Sequence, residues 1–174
     1  EAIEQLKKIG VYNTIMLTGD NESTAIAVGN RLGIDKVYAS LLPHEKLKKL
    51  EEIEREQAKD GTVVFMGDGI NDSPAIARAK VGVAMGGLGA DAAIEAADVV
   101  LMTDQVSKLA DAIGVARKTR RVVVQNVIFA LGVKIGVLIL GAMGVATMWQ
   151  AVFADVGVTV IAVLNSMRIL LDRS

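Results

Sequence analysis

Two aspartates, Asp68 and Asp72, stand in the sequence Gly-Asp-Gly-Ile-Asn-Asp, directly after a short apolar run. Their spacing on a glycine-containing loop allows both carboxylates to approach one hard divalent cation. Mg²⁺ prefers one or two carboxylates together with waters and phosphate oxygens. The alternative is a capped turn before a helix that begins near Pro74, but capping requires neither two aspartates nor Asn71 beside them. The motif therefore favours a magnesium site that also holds a phosphate.

A second polar motif, formed by Thr18, Gly19 and Asp20, also follows an apolar run and precedes a helical pattern. A hydroxyl and free backbone N–H groups at such a point suit a phosphate, although a simple turn capped by Asn21 explains the tripeptide about as well. Lys46, near the start of a later helical pattern, has the charge to fold back onto a phosphoryl group. Taken alone, it is typical of a surface lysine.

The elements that would position these residues alternate along the first two thirds of the chain. Apolar runs typical of strands alternate with patterns of helical spacing, which favours an α/β fold with a parallel sheet and helices on both faces. Ligands of such sheets bind beyond the carboxyl ends of the strands, where Thr18 and Asp68 stand. The predicted strands are 13–18, 62–66, 81–85 and 98–102, and the predicted helices are 23–32, 44–59, 73–79 and 90–97.

Charge is distributed unevenly, and the pattern changes near residue 121. Hydrophobic residues make up 52% of the chain and the mean hydropathy is +0.42, which is too apolar for an ordinary soluble domain. Residues 122–145 and 151–171 each supply the roughly 20 apolar residues that cross a bilayer. The sequence thus predicts two domains, 1–121 and a transmembrane helical hairpin over 122–174. Lysine and arginine flank both outer ends, which predicts that these ends are cytoplasmic.

Within the apolar segment 122–164, the only charged residues are Lys134 and Asp155. A charge at the centre of a bilayer costs roughly 2.5–3.5 kcal/mol on insertion scales, so such residues usually mark an ion path. Asp155 is a candidate ligand for a hard or borderline divalent ion, and Lys134 is its candidate counter-charge. A purely structural salt bridge between the two is the alternative. The net charge of −1 gives no reason to expect nucleic-acid binding.

Together, Thr18-Gly19-Asp20, Lys46, the Gly-Asp-Gly-Ile-Asn-Asp motif and the hairpin resemble the C-terminal part of a P-type ATPase. The resemblance implies a haloacid dehalogenase-like, Rossmann-like phosphorylation domain. It also implies roles for its matching residues: Asp68 coordinates Mg²⁺, Asn71 and Asp72 support that site, Thr18 contacts the phosphoryl group and Lys46 stabilises its charge. The two apolar segments resemble the last helices of the zinc, cadmium and lead exporters. Copper(I) pumps usually place other ligands there.

The resemblance also implies what the chain lacks. The family's phosphorylated aspartate, in an Asp-Lys-Thr-Gly sequence, is absent. We therefore expect this chain to be one part of a pump that also has a nucleotide-binding domain, an actuator domain and further membrane helices. ATP would bind mainly to those parts, and the location would be the plasma (inner) membrane, with residues 1–121 cytoplasmic. By itself the chain should be inactive. The rival hypotheses are a copper-transporting P-type ATPase, a soluble dehalogenase-fold phosphatase and a membrane-anchored binding module.

Overall fold

The structure, a computed structural model, describes residues 1–57, 61–67, 70–86, 91–103, 105–145 and 147–171. The chain forms two compact units, Glu1–Asp111 and Ala112–Ser174. The predicted domain boundary at residue 121 lies inside a long helix that begins at Ser107, before the division between the units. That helix starts well ahead of the predicted apolar span, because the lysine- and arginine-rich segment continues the same helical pattern.

The described part of the first unit contains five short parallel strands. They are β1 (Ile15–Leu17), β2 (Lys36–Tyr38), β3 (Val64–Gly67), β4 (Val81–Met85) and β5 (Val99–Leu101). β1 pairs with β2, whereas β3, β4 and β5 form a second sheet in that order. The parallel arrangement confirms the predicted fold class. The sequence predicts one sheet, whereas the described residues form these two separate sheets.

Helices connect the strands of this unit. They are α1 (Ala2–Lys8), α2 (Glu22–Leu32), α3 (Pro43–Glu56), α4 (Ser73–Arg78) and α5 (Asp91–Ala96). Asn21 caps α2 by accepting a 2.9 Å hydrogen bond from the Thr24 N–H, which satisfies one of the free donors at the helix start. α2 ends at Gly33, whose φ of 73° is the left-handed conformation in which glycine is favoured.

The core of the second sheet is built from small and branched side chains. Ile76 of α4, Ala84 of β4 and Ala93 of α5 are fully buried, and Phe65 packs against them. Complete burial of an isoleucine side chain contributes about 1.5–3 kcal/mol. This packing places α4 against β3 and β4, so the segment just before α4 is held at the carboxyl end of β3.

The segment between α2 and β2 is joined to the start of β1 by Asp35. Its carboxylate accepts hydrogen bonds from the Thr14 N–H at 2.8 Å and the Thr14 hydroxyl at 2.7 Å. Lys7 Nζ of α1 lies 2.7 Å from its other oxygen. The hydrogen bond from Lys7, followed by those from Thr14, holds the pKa of Asp35 well below its usual range. The ionised carboxylate thus ties α1, β1 and β2 together.

We expect Asp35→Asn to lower the thermal unfolding midpoint of the chain in detergent at pH 7. Because the folded-state pKa of Asp35 is depressed, its contribution is complete above the ordinary carboxyl pKa and is lost as pH falls below about 4. The difference in unfolding midpoint between variant and parent should therefore become smaller as the pH is lowered from about 5 to about 3. Glu95→Gln, at an exposed position of α5, is the control. An equal midpoint for Asp35→Asn and parent at pH 7 would contradict this assignment.

The second unit is described by two long helices, α6 (Ser107–Ala142) and α7 (Met148–Leu171). Both are long and apolar enough to cross a membrane. In the most apolar 18-residue segment of each helix, 6% of the residues of α6 and 0% of those of α7 are buried. A core helix of a soluble protein would be mostly covered. Less exposed residues recur every three or four positions on each helix, which marks the stripes that face each other. The stripe of α6 is Val122, Asn126, Ala130, Val133 and Val137, and that of α7 is Ala151, Ala154, Val158, Ala162, Asn165 and Ile169.

Candidate functional site

Lys46 and Asp72, which are 26 residues apart in the chain, meet as an ion pair. Lys46 Nζ lies 2.9 Å from Asp72 Oδ1, and the two side chains are only 18% and 15% exposed. Lys46 belongs to the first turn of α3, where Pro43 begins the helix and the Glu45 carboxylate accepts the Leu42 N–H at 2.8 Å. A cation is unfavourable at the positive end of a helix dipole, so the contact with Asp72 offsets a local cost.

Asp72 lies at the end of the 3₁₀ turn Ile70–Asp72, between β3 and α4. Gly67, the last residue of β3, permits this placement, because a Cβ there would lie 2.6 Å from Asp72 Cβ and 3.0 Å from Asp72 Oδ2. The Asp72 carboxylate is therefore held directly against the carboxyl end of β3. Next to it, the Ser73 hydroxyl is buried and has no hydrogen-bond partner among the described residues.

These oxygens fit a magnesium ion as far as the structure describes them. Asp72 supplies a carboxylate and Ser73 a buried hydroxyl, both hard ligands of the kind that Mg²⁺ selects. Asp68, the first predicted ligand, lies outside the described residues, and the side chain of Asn71 is exposed. Within the described part of the chain, no three His, Asp or Glu side chains form a cluster able to hold a metal.

Thr18, Gly19 and Asp20 form a tight turn after β1. The Thr18 hydroxyl donates to Asp20 Oδ2 at 2.9 Å, and the Asp20 N–H donates to Thr18 Oγ1 at 3.1 Å. The loop after β2 closes over this turn through two backbone hydrogen bonds, from the Ser40 N–H to Asp20 O and from the Leu41 N–H to Thr18 O. The Thr18 hydroxyl thus lies at the carboxyl end of β1, the edge of the sheet at which the sequence predicts phosphate binding.

The hydrogen bonds among the described residues do not connect the turn at Thr18 to the pair of Lys46 and Asp72. Sequence reasoning missed Ser40, which has a φ of 55°. A residue other than glycine in this region is uncommon and costs of order 1–3 kcal/mol. Its strained backbone is compensated by its hydrogen bond to Asp20 O. No sequence signal pointed to it, because serine is not diagnostic of positive φ.

The two charged residues of the apolar helices lie in uninterrupted helix. Lys134 is in α6 and Asp155 is in α7, and both are exposed within this unit. Both residues are described, and no ion pair of 4.0 Å or less joins them. The structural salt bridge considered from the sequence is therefore not formed here. The Thr159 hydroxyl donates to the backbone carbonyl of Asp155 at 3.0 Å and does not engage the Asp155 carboxylate.

Comparison with family models gives one match over the first unit. Residues 1–80 match a hydrolase model described as haloacid dehalogenase-like hydrolase. This range contains β1 to β3 and every predicted phosphate-site residue. The match to this family model agrees with the parallel strands of the first unit and with the polar residues at their carboxyl ends.

Comparison with curated proteins extends the similarity through α6 and α7. The chain is 58% identical over 170 residues to a cadmium, zinc and cobalt-transporting ATPase of Bacillus subtilis, covering 98% of this chain and 24% of that protein. It is 57% identical over 169 residues to a zinc-transporting ATPase of Synechocystis, covering 97% of this chain and 23% of that protein. The chain therefore spans about a quarter of the length of these relatives.

A solved structure gives the same result in three dimensions. The crystal structure of a zinc-transporting PIB-type ATPase matches 97% of this chain and 27% of its own, with a TM-score of 0.83 and 38% identity. The match includes both the α/β unit and the helices that contain Lys134 and Asp155. The similarity thus covers the phosphate-type motifs and the apolar helices in one polypeptide.

Proposed function

Since this chain belongs to the P-type ATPases, we propose that it is one part of an ATP-driven pump that exports a divalent heavy-metal ion through an aspartyl-phosphate intermediate. The observation that carries the proposal is the 58% identity to a metal-transporting ATPase over 98% of the chain. That alignment includes the Lys46–Asp72 pair and the two charged residues of α6 and α7. A phosphate site alone would equally suit a soluble phosphatase, which has no use for the apolar helices.

In the proposed phosphoryl-transfer step, the chain's own residues bind and orient the phosphoryl group. Thr18 donates its hydroxyl to a phosphoryl oxygen in place of its present bond to Asp20. Lys46, held by Asp72, places a point charge where negative charge develops. Asp68 and Asp72 would hold Mg²⁺, with Asn71 as support, and the ion would neutralise charge on the transferred group. The nucleophile and most of the ATP site belong to other parts of the pump.

The two sheets indicate how those other parts join this unit. Among the described residues, β1 pairs only with β2, and β3 pairs with β4. Both β1 and β3 are parallel strands whose carboxyl ends lead to site residues. We infer that a parallel strand from the preceding part of the pump, which would carry the phosphorylated aspartate, completes the sheet between them. This would bring the aspartate to the edge at which Thr18 and Asp72 lie.

For the transported ion, the proposed ligand is Asp155, with Lys134 as the counter-charge. Carboxylate oxygen suits a divalent ion such as Zn²⁺, Cd²⁺ or Pb²⁺ much better than the soft ion Cu(I). Lys134 would repel the ion or replace it when the site is empty. The hairpin would lie in the plasma (inner) membrane as part of a multi-pass protein, with residues 1–121 in the cytoplasm.

The test is an ATPase assay of the intact pump across metals. We expect Zn²⁺, Cd²⁺ and Pb²⁺ to stimulate hydrolysis and Cu(I) to leave it at the basal rate, because the Asp155 carboxylate distinguishes them. Activity that stays in the supernatant after membrane fractionation would instead favour the soluble phosphatase. Stimulation by Cu(I) alone would favour the copper-transporting alternative and contradict the role of Asp155.

A further inference from the structure

A network of amide side chains connects the two apolar helices. Among the described residues, three hydrogen bonds between side chains of α6 and groups of α7 involve Asn126. Asn126 Nδ2 donates to Ala162 O at 3.1 Å and to Ser166 Oγ at 3.0 Å, while Asn165 Nδ2 donates to Asn126 Oδ1 at 2.8 Å. We call the Asn126–Asn165 contact the amide clamp.

The orientation of both amides is determined by their partners. Arg168 donates from Nη1 to Asn165 Oδ1 at 3.2 Å, so the Asn165 oxygen must face the guanidinium and its Nδ2 must face Asn126. The Asn126 oxygen then faces Asn165, and its Nδ2 faces α7, where Ala162 O and Ser166 Oγ accept. A shift of α7 by one residue would break this set of bonds, so the clamp specifies one register.

That register determines the relative depth of the two charged residues. Lys134 is eight residues beyond Asn126 in α6, and Asp155 is ten residues before Asn165 in the antiparallel α7. At 1.5 Å per residue, Lys134 lies about 12 Å and Asp155 about 15 Å from the level of the clamp. The two charges are therefore within about 3 Å of the same depth.

The clamp also determines the side of the hairpin on which the charges lie. At 100° per residue, Lys134 is rotated about 80° from Asn126 around α6, and Asp155 is rotated about 80° from Asn165 around α7. Because the helices are antiparallel, these rotations have opposite sense when viewed from one end. Asn126 and Asn165 face each other, so both charged side chains lie on the same flank of the pair. Their exposure agrees with positions beside the facing stripes.

We propose that Asn126 and Asn165 are positioning residues that hold Lys134 and Asp155 at one depth and on one flank, and thereby set the affinity of the transport site. The inference rests on the proposed function, because it takes Asp155 as the metal ligand. Apolar packing between these helices is non-directional and tolerates sliding. The amide clamp does not, since each amide has its oxygen and nitrogen fixed by a different partner.

The test uses Asn126→Ala, Asn165→Ala and the double variant of the intact pump. Interhelical hydrogen bonds in membranes contribute about 0.6–1.7 kcal/mol, so each single variant should raise the half-saturating Zn²⁺ concentration of ATPase activity about 3- to 18-fold. The double variant should be no worse than the more impaired single variant, because either change removes the same contact. Gln125→Ala, next to Asn126 but off the facing stripe, should leave the Zn²⁺ dependence unchanged.

A merely structural role is distinguished by a second measurement. Phosphorylation of the metal-free pump by inorganic phosphate reports the amount of folded protein. The amount of phosphorylated protein should be the same in every variant as in the parent. Asn126→Leu introduces a side chain that suits an apolar membrane helix. It should raise the half-saturating Zn²⁺ concentration as much as Asn126→Ala does. An unchanged half-saturating Zn²⁺ concentration at normal phosphorylation, or additive effects in the double variant, would overturn the inference and leave the proposed function intact. A parent pump that no divalent metal stimulates would overturn both.

Discussion

Asp155→Ala in the intact pump is expected to abolish metal-stimulated ATPase activity. The carboxylate is the proposed ligand of the transported ion, and the structure leaves it without an ion pair to Lys134 or another described cation. Loss of an outer-shell partner already costs a metal site about 10- to 100-fold in affinity or activity, and loss of the ligand itself should exceed this. The measurement is ATP hydrolysis against Zn²⁺ concentration in purified, reconstituted pump.

One further variant and one further measurement make that result specific. Val156→Ala, at the exposed neighbouring position of α7, should retain normal stimulation by Zn²⁺. Such a result would show that shortening a side chain on this part of α7 does not by itself abolish activity. Phosphorylation by inorganic phosphate should survive in Asp155→Ala, since the residues of the proposed phosphate site belong to the first unit. Normal stimulation of Asp155→Ala by Zn²⁺ would show that the metal binds elsewhere.

The second large effect is expected for Lys46→Ala, which should slow phosphoenzyme formation from ATP about 10²- to 10³-fold. Its ammonium group is oriented by Asp72 at 2.9 Å and is mostly shielded from water, so in the proposed site water would screen its charge on the phosphoryl group only weakly. The variant also leaves Asp72 as an unpaired and poorly solvated carboxylate. The measurement is the rate at which labelled phosphate from ATP becomes covalently bound.

The matched control is Lys48→Ala, an exposed lysine two positions later in α3. Lys48→Ala removes one positive charge from the same helix as Lys46→Ala, so a general electrostatic effect on the rate would appear in both variants. Lys46→Arg should recover only part of the rate, because a guanidinium fork differs in shape from a point charge. Equal rates for Lys46→Ala and Lys48→Ala would remove Lys46 from the site.

The strands that sequence reasoning identified have apolar runs bounded by glycine or polar residues, and β4 matches its predicted range of 81–85. β2 was missed because only Val37 and Tyr38 are apolar in its three residues, and Lys36 is exposed. Its position depends on pairing with β1 and on Asp35, which are tertiary contacts. The same reason explains the prediction of a single sheet, since strand order is not encoded in local periodicity.

The candidate site was predictable in its residues but not in its contacts. Lys46 by itself is typical of a surface lysine, and only resemblance to a family connected it with the aspartate motif. The ion pair with Asp72 arises because α3 and α4 bring together residues that local sequence does not relate. By contrast, Lys134 and Asp155 were evident from the sequence, because charge is costly in an apolar segment. The amide clamp was missed because the contact between Asn126 and Asn165 depends on how α6 and α7 pair, which local sequence does not specify.

The helix α6 runs from Ser107 to Ala142 as 36 residues without a break. At 1.5 Å per residue it is about 54 Å long, so a part equal to nearly half its length extends beyond a hydrocarbon layer of about 30 Å. α6 contains no proline, a residue at which helices commonly kink sharply. Lys134 and the lysine- and arginine-rich turns that begin near Arg117 therefore belong to one continuous helix.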